Sequence, residues 1–413
     1  MNSYVDQAED IGFALTVDQQ HWLDALPACP DWSQAATLLK ISVQGRPDPA
    51  RLSQALERLV ERHPILAGRL GTAPGYRGMR QFIGARRPAL TLAVQAEAGA
   101  PALLEPWLQQ RFEIDQLPAA QALLVPAADA GQWHLWLGVA GFACDAAGMA
   151  MLYRDLAVLY DTPAVPDEDL PEAFGQYLEW RAEVAQDEDA AAARGYWQGH
   201  LMPTEQGMSA PWPAYRQDQP ATHQAHHQVN LPLALQGQLQ RLADARQASL
   251  DTLLQAAWWA LLGRLGDSNR LLGAWQHDAR QDYDYFANSA GAFSKLLPLC
   301  LHWADETRFG EHLAALGAAL EQHVAWQEYW VPEWVPTAVP TVAFSTTPAL
   351  APQVAGGLCW QGELLAPRLP AGIELQLRIC PAAGADQLIT VSLDYLAGRY
   401  SARGMQGLLE QYI

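Results

Sequence analysis

Apolar positions along the chain alternate between a spacing near 3.6 and a spacing of 2, and each switch marks a change from helix to strand. Asp48 can cap a helix with Pro49 at its first position. Leu52, Leu56, Leu59 and Val60 then share one face, and His63-Pro64 stops the run. Strand-like runs follow at Gln81–Gly84, Leu90–Gln95, Ala122–Pro126 and Trp133–Ala140. Helices are predicted over about Ala146–Tyr160, Glu172–Ala185 and Ala190–His200. Met202–Ala225 has no apolar period and holds Pro203, Pro211, Pro213 and Pro220, so it reads as a linker. The mixture then resumes. Helices are expected over about Ala234–Arg246, Asp251–Leu265 behind Ser249, Phe309–Trp326 behind Thr307, and after Ser401. Strands are expected near Leu271–Gln276, Ala292–His302, Thr341–Ser345, Ile373–Ile379 and Leu388–Tyr395. This is a mixed α/β pattern. It divides into an N-terminal lobe at 1–201, a linker at 202–225 and a C-terminal lobe at 226–413.

Composition narrows the picture. With 413 residues, half of them apolar and sixteen of them Trp, the chain has material for two cores. A formal charge of −19, with Lys40 and Lys295 the only lysines, argues against nucleic acid, which basic surfaces bind. Cys29, Cys144, Cys300, Cys359 and Cys380 are scattered without a CxxC spacing, so free thiols in a reducing cytoplasm are expected. The polar, acidic start at Met1–Asp10 is unlike a signal peptide, and no apolar run approaches the roughly 18 residues of a membrane span. The chain stops at Ile413, within or just after its last helix, which suggests truncation of a longer protein.

Several segments in order are similar to the core motifs of nonribosomal peptide synthetase condensation domains. Leu15, Thr16 and Gln19 are similar to the family's LTxxQ step, with Leu15, Gln19 and Trp22 spaced to share a helical face. Arg62-His63-Pro64-Ile65-Leu66 resembles its RHxxL step, where His63 reads as structural. Phe112–Pro118, followed by Ala122–Val125, is similar to its FDL…P segment, and Gln176–Trp180 with Tyr196-Trp197 to its late first-lobe helices. Gly273–Arg280 is similar to its G…R segment, and Gly291-Ala292-Phe293 with Leu297-Pro298-Leu299 to its GxFxNTxPLR strand. The resemblance implies two α/β lobes like chloramphenicol acetyltransferase, in a V around a central tunnel. It also implies substrates carried on phosphopantetheine arms, with no resident cofactor and no metal.

Where that family carries HHxxxDG, this chain reads Ala140-Gly141-Phe142-Ala143-Cys144-Asp145-Ala146, so of the motif only Asp145 remains. In the family the second His contacts the attacking amine, and Gly141 cannot. Loss of a general base typically costs about 10²–10⁴-fold in rate. The resemblance gives Asp145 a structural ion pair with Arg280. Lys295 and Cys300 depart further, standing where the strand motif has Asn and Arg. No residue is assigned as catalytic. His277, within Gly273–Arg280, is a candidate surrogate base, against the plain reading of a hydrogen-bonded strand-end histidine. Cys144 reads as an inert buried thiol rather than a nucleophile. His226-His227 reads as an exposed approach to a strand, and His223, His226 and His227 lack the acidic or thiol partner of a metal site.

The function expected is therefore a catalytically impaired condensation-family module that docks carrier proteins, neighbouring synthetase domains or a recruited enzyme. The alternative is an active amide- or ester-forming acyltransferase that works by substrate positioning alone. Arg77, Arg80, Arg86 and Arg87 form the densest basic cluster and are candidate docking residues for acidic carriers, against the reading of a solvated loop. Trp326, Trp330 and Trp334 are a candidate binding stripe or, in the plainer reading, part of the second core, as are Trp258 and Trp259.

Overall fold

The computed structural model describes residues 11–28, 31–83, 90–95, 102–114, 118–129, 131–162, 174–201, 215–217, 219–266, 269–302, 304, 306–335, 339–384 and 387–413. They form two compact units. The first gathers the chain up to Glu183 with Arg280–Ser294 and Leu350–Pro367; the second holds Val184–Ala279, Lys295–Ala349 and Arg368–Ile413. Two stretches from the second half of the sequence thus belong to the first unit, which a cut at a single linker does not express. The expected linker at 202–225 lies largely outside the described residues, and from His223 it is already strand.

The first unit is built on a six-stranded sheet in the order Gln353–Ala355, Leu358–Leu364, Ala36–Gln44, Gln132–Ala140, Ala120–Pro126, Leu92–Val94. All its pairings are antiparallel except the last, between Leu92–Val94 and Ala120–Pro126. Leu358–Leu364 runs along Ala36–Gln44 and satisfies backbone groups that would otherwise form an open edge. Two helices cover the sheet. Pro49–Arg62 begins as the sequence predicts, with the Asp48 carboxylate accepting from the N–H groups of Ala50 and Arg51, and buries Leu52, Ala55, Leu56 and Leu59. Against it packs Ala146–Asp161, which buries Met149, Leu152, Tyr153 and Leu156. The expected strand at Gln81–Gly84 is instead Arg80–Phe82, the middle of a separate three-stranded sheet.

The second unit holds a six-stranded sheet in the order Ser294–His302, Arg270–Asp278, Val342–Thr346, Leu375–Cys380, Thr390–Ala397, His223–Asn230. Val342–Thr346 is parallel to both its neighbours, and the last two pairings are antiparallel. Helices Leu250–Leu265 and Phe309–Trp326 pack together over a core in which Trp258 and Trp259 are wholly buried. Trp330 lies in the same core with Trp326 and Trp334 packed against it, so this stripe is core rather than exposed surface. The Phe309 helix is capped one residue later than the sequence suggests. Glu311 accepts from the Arg308 N–H, while the Thr307 hydroxyl accepts from the Ala304 N–H.

Candidate functional site

The candidate site lies in the first unit, where Gln132–Ala140 leaves its sheet and the chain turns into the helix Ala146–Asp161. Ala140 is fully buried and paired opposite Ala36. After the turn, Asp145 caps the helix by accepting from the Gly148 N–H at 2.8 Å, with Ala146 as the first helical residue. The structure brings Asp145 and Arg280 together as a bidentate pair, Nη2 to Oδ1 at 2.9 Å and Nη1 to Oδ2 at 3.0 Å. Oδ2 also accepts from the N–H groups of Phe293 and Ser294, at 2.9 and 2.8 Å. The guanidinium donates from Nε to the Ser289 carbonyl and from Nη2 to the Gly291 carbonyl, and lies over the Phe293 ring.

Burial alone would raise the Asp145 pKa, but Arg280 and the backbone donors outweigh it and hold the carboxyl below the usual carboxylate range. A carboxylate that receives five donors and is held ionised is a poor proton acceptor for a substrate amine. Its bonds tie the turn to the Arg280–Ser294 segment. Phe174, Tyr177 and Trp180 pack rings against Tyr283, Phe286 and Phe293 of that segment.

Gly141 offers no side chain to the site, and the space beside it is taken. A Cβ built on Gly141 would lie 2.5 Å from Nε1 and 2.7 Å from Cδ1 of Trp22. Trp22 sits on the helix Val17–Ala25. Thr16 and Gln19 cap that helix reciprocally, so it starts after Leu15, which does not share the expected face. Gln19 donates to the Phe142 carbonyl at 2.7 Å and to Gln81 Oε1 at 2.6 Å. Trp22 donates to the Ala35 carbonyl at 3.2 Å and packs against Phe112 and Phe142. The sequence shows Gln19 and Trp22 on one helical face but gives no sign that the face meets Gly141.

The other candidates are placed as follows. His63 is buried, with Nε2 2.7 Å from Asp155 Oδ2, and Arg62 Nε donates to the same oxygen, a structural arrangement within the first unit. His277 is buried on the strand Arg270–Asp278 beside Trp275. Cys144 is fully buried, and burial followed by the neighbouring Asp145 charge pushes its thiol far above the ordinary range, which leaves no nucleophile there. Lys295 is buried in an ion pair with Glu328, and the Cys300 sulfur accepts from Arg270. His226 and His227 lie within the edge strand His223–Asn230, opposite Asp394 and Leu393, rather than ahead of it. Among the described residues no three His, Cys, Asp or Glu side chains are placed to hold a metal, and no helix is long and apolar enough to cross a membrane. Of the basic cluster, Arg77 is exposed, while Arg80 donates to the carbonyls of Ile11 and Gly12. Arg86 and Arg87 lie outside the described residues.

A histidine pair that the sequence does not suggest lies in the second unit. The Trp275 indole donates to His323 Nδ1 at 3.1 Å, which places the His323 proton on Nε2. That N–H faces His200 Nε2 at 3.0 Å, which also accepts from the Cys300 N–H at 3.2 Å. Burial lowers the pKa of both imidazoles, His200 to about 4 with Arg270 adding to the effect.

Comparison with known proteins gives a consistent picture. The condensation domain family matches residues 31–334. The chain is 23% identical over 303 residues to chondramide synthase cmdD of Chondromyces crocatus and 24% identical over 322 residues to a linear gramicidin synthase of Brevibacillus parabrevis. Those alignments take in 68% and 75% of this chain but only 7% and 6% of the relatives' length. Among solved structures, a mutant starter condensation domain of rhizomide synthetase in complex with C8-CoA has a TM-score of 0.80 at 19% identity, covering 99% of this chain and 95% of that one. SgcC5 from Streptomyces globisporus has a TM-score of 0.75 at 18% identity, covering 96% of each chain.

Proposed function

This chain belongs to the condensation-domain family, and from that premise we propose that it is a catalytically impaired member that holds carrier proteins or partner enzymes rather than joining their substrates. One observation carries the reading. The position of the family's second motif histidine is Gly141, and a Cβ there would lie 2.5 Å from Nε1 of the Trp22 indole. Asp145 does not compensate, because its oxygens are taken up by Arg280 and three backbone N–H groups. Cys144 does not either, because its thiol stays protonated. A fold kept intact around an emptied motif position retains binding surfaces that do not depend on proton transfer. The phosphopantetheine arm of a carrier protein is the ligand class this family membership suggests.

Calorimetric titration of the chain with phosphopantetheinylated carrier domains from its own assembly line tests the holding role. Saturable binding is the expected result at moderate salt, which screens the repulsion between acidic carriers and a chain of net charge −19. Heats no larger than dilution at every carrier tried would contradict docking.

A further inference from the structure

Gly141 is not simply a deleted side chain, because its neighbour has taken up the space. We propose that Trp22 is a plug that closes the emptied motif position and makes glycine obligatory at 141. The proposal deepens the impaired-site reading and rests on it for its functional meaning.

Three observations bear on this. Gly141 is not among the residues with positive φ, so the backbone there does not call for glycine. Replacing such a glycine by alanine normally stabilises a protein by narrowing the unfolded ensemble. At this position, however, the first side-chain atom would meet Trp22 Nε1 at 2.5 Å and Cδ1 at 2.7 Å, well inside van der Waals contact. The indole is also not free to swing aside. Its N–H is bonded to the Ala35 carbonyl, its rings contact Phe112 and Phe142, and its helix is tied down by Gln19 donating to the Phe142 carbonyl. The demand for glycine therefore comes from Trp22 alone.

It follows that restoring an imidazole at 141 needs two changes. Gly141→His by itself would put its Cβ against the Trp22 indole, and its failure to create activity would say nothing about the chemistry of the site. Only with Trp22 reduced does the position open.

A double-mutant cycle read by thermal unfolding tests the plug without any reference to turnover. Gly141→Ala in the otherwise unmodified chain is expected to lower the Tm by about 3 °C or more. In the Trp22→Ala background the same substitution is expected to leave the Tm unchanged or raise it, since the methyl group enters space the indole has left. Should Trp22→Ala not fold, Trp22→Val, which has no atom beyond Cγ and so lacks both atoms that make the short contacts, serves as the background. Equal losses in the two backgrounds, or no loss in the first, would overturn the proposal and leave the impaired-site reading standing. Multiple turnover by the unmodified chain would remove that reading and leave the cycle untouched.

Discussion

Replacing Arg280 by Ala is expected to destabilise the first unit by about 3–5 kcal/mol, the usual loss when one partner of a buried ion pair is removed. Asp145 and Arg280 are nearly excluded from solvent, with side chains 9% and 4% exposed. Without the guanidinium, the Asp145 carboxylate keeps its bonds from the N–H groups of Gly148, Phe293 and Ser294 but has no compensating charge. The Ser289 and Gly291 carbonyls also lose the donors that hold the Arg280–Ser294 segment in place. Arg280→Lys should recover only part of the loss, because an ammonium cannot supply the two parallel bonds or the bonds to both carbonyls. Asp145→Asn leaves the buried Arg280 charge unpaired and turns one accepting oxygen into an NH2 that faces donors, so it should cost about as much as Arg280→Ala and more than Arg280→Lys. Urea unfolding midpoints of the three variants check this order; a loss under about 1 kcal/mol for Arg280→Ala would show that the pair is not a brace.

The second large effect is on acid stability, and its largest contribution comes from the second unit, with His134 of the first unit, also lowered by burial, adding in the same direction. Unfolded histidine titrates near 6.5, whereas folded His200 is held at about 4, with burial as the main cause and Arg270 next. Between those values the unfolded chain binds a proton that the folded chain refuses, so stability falls as pH drops through this window. His200 alone accounts for roughly 3 kcal/mol between pH 6.5 and 4. His323 adds in the same direction, since it too is lowered, by burial and by His200. The geometry gives the same sign: protonating His200 Nε2 would turn the group that accepts from His323 and the Cys300 N–H into a donor facing donors. The lowered carboxylates Asp145 and Asp155 contribute stability that is kept above about pH 4 and lost only below it, so they do not confuse the window. Urea midpoints measured from pH 7.5 to 4.5 should be level above pH 7 and then decline steadily. A flat profile down to pH 4.5 would contradict the buried neutral pair.

The local parts of this fold are legible in the sequence because local chemistry sets them. Asp48, Ser249 and Ser401 announce the helices they cap, and the side chain of each accepts from backbone N–H groups in the first turn. Three of the strands that escape the sequence pattern do so for different reasons. Ala36–Gln44 does alternate, with Leu39, Ile41 and Val43 buried, but the doublet Leu38-Leu39 blurs the period. Leu358–Leu364 does alternate, with Trp360 buried and Gln361 and Glu363 exposed, but the apolar Cys359 faces out and the buried Gly362, where a Cβ would be 3.0 Å from the Tyr153 ring, adds no apolar side chain, so the signal is weak. His223–Asn230 is a His- and Gln-rich edge strand held by its ladder to Thr390–Ala397, and little of its side-chain surface is buried.

At the site, the Asp145–Arg280 pair is reached through family resemblance, since nothing in the spacing of two residues so far apart in sequence identifies them as partners. The Trp22–Gly141 contact has no such route. A glycine chosen to clear a neighbour looks, in sequence, the same as a glycine chosen for a turn. The His200–His323 pair is hidden for a related reason: His200 closes the helix Ala190–Leu201 and His323 lies on Phe309–Trp326, and neither residue carries a motif.

The central claim is that this condensation-family chain no longer joins substrates, and turnover on carriers tests it most directly. Donor and acceptor carrier proteins loaded with the aminoacyl groups of their own modules would be mixed with the unmodified chain and the acceptor followed by intact-protein mass spectrometry. The account predicts no acceptor mass shift beyond the level without the chain, while carrier binding persists. An acceptor converted at many turnovers per molecule of the chain would contradict it, and would mean that positioning alone, with Gly141 in place of a base, makes the bond.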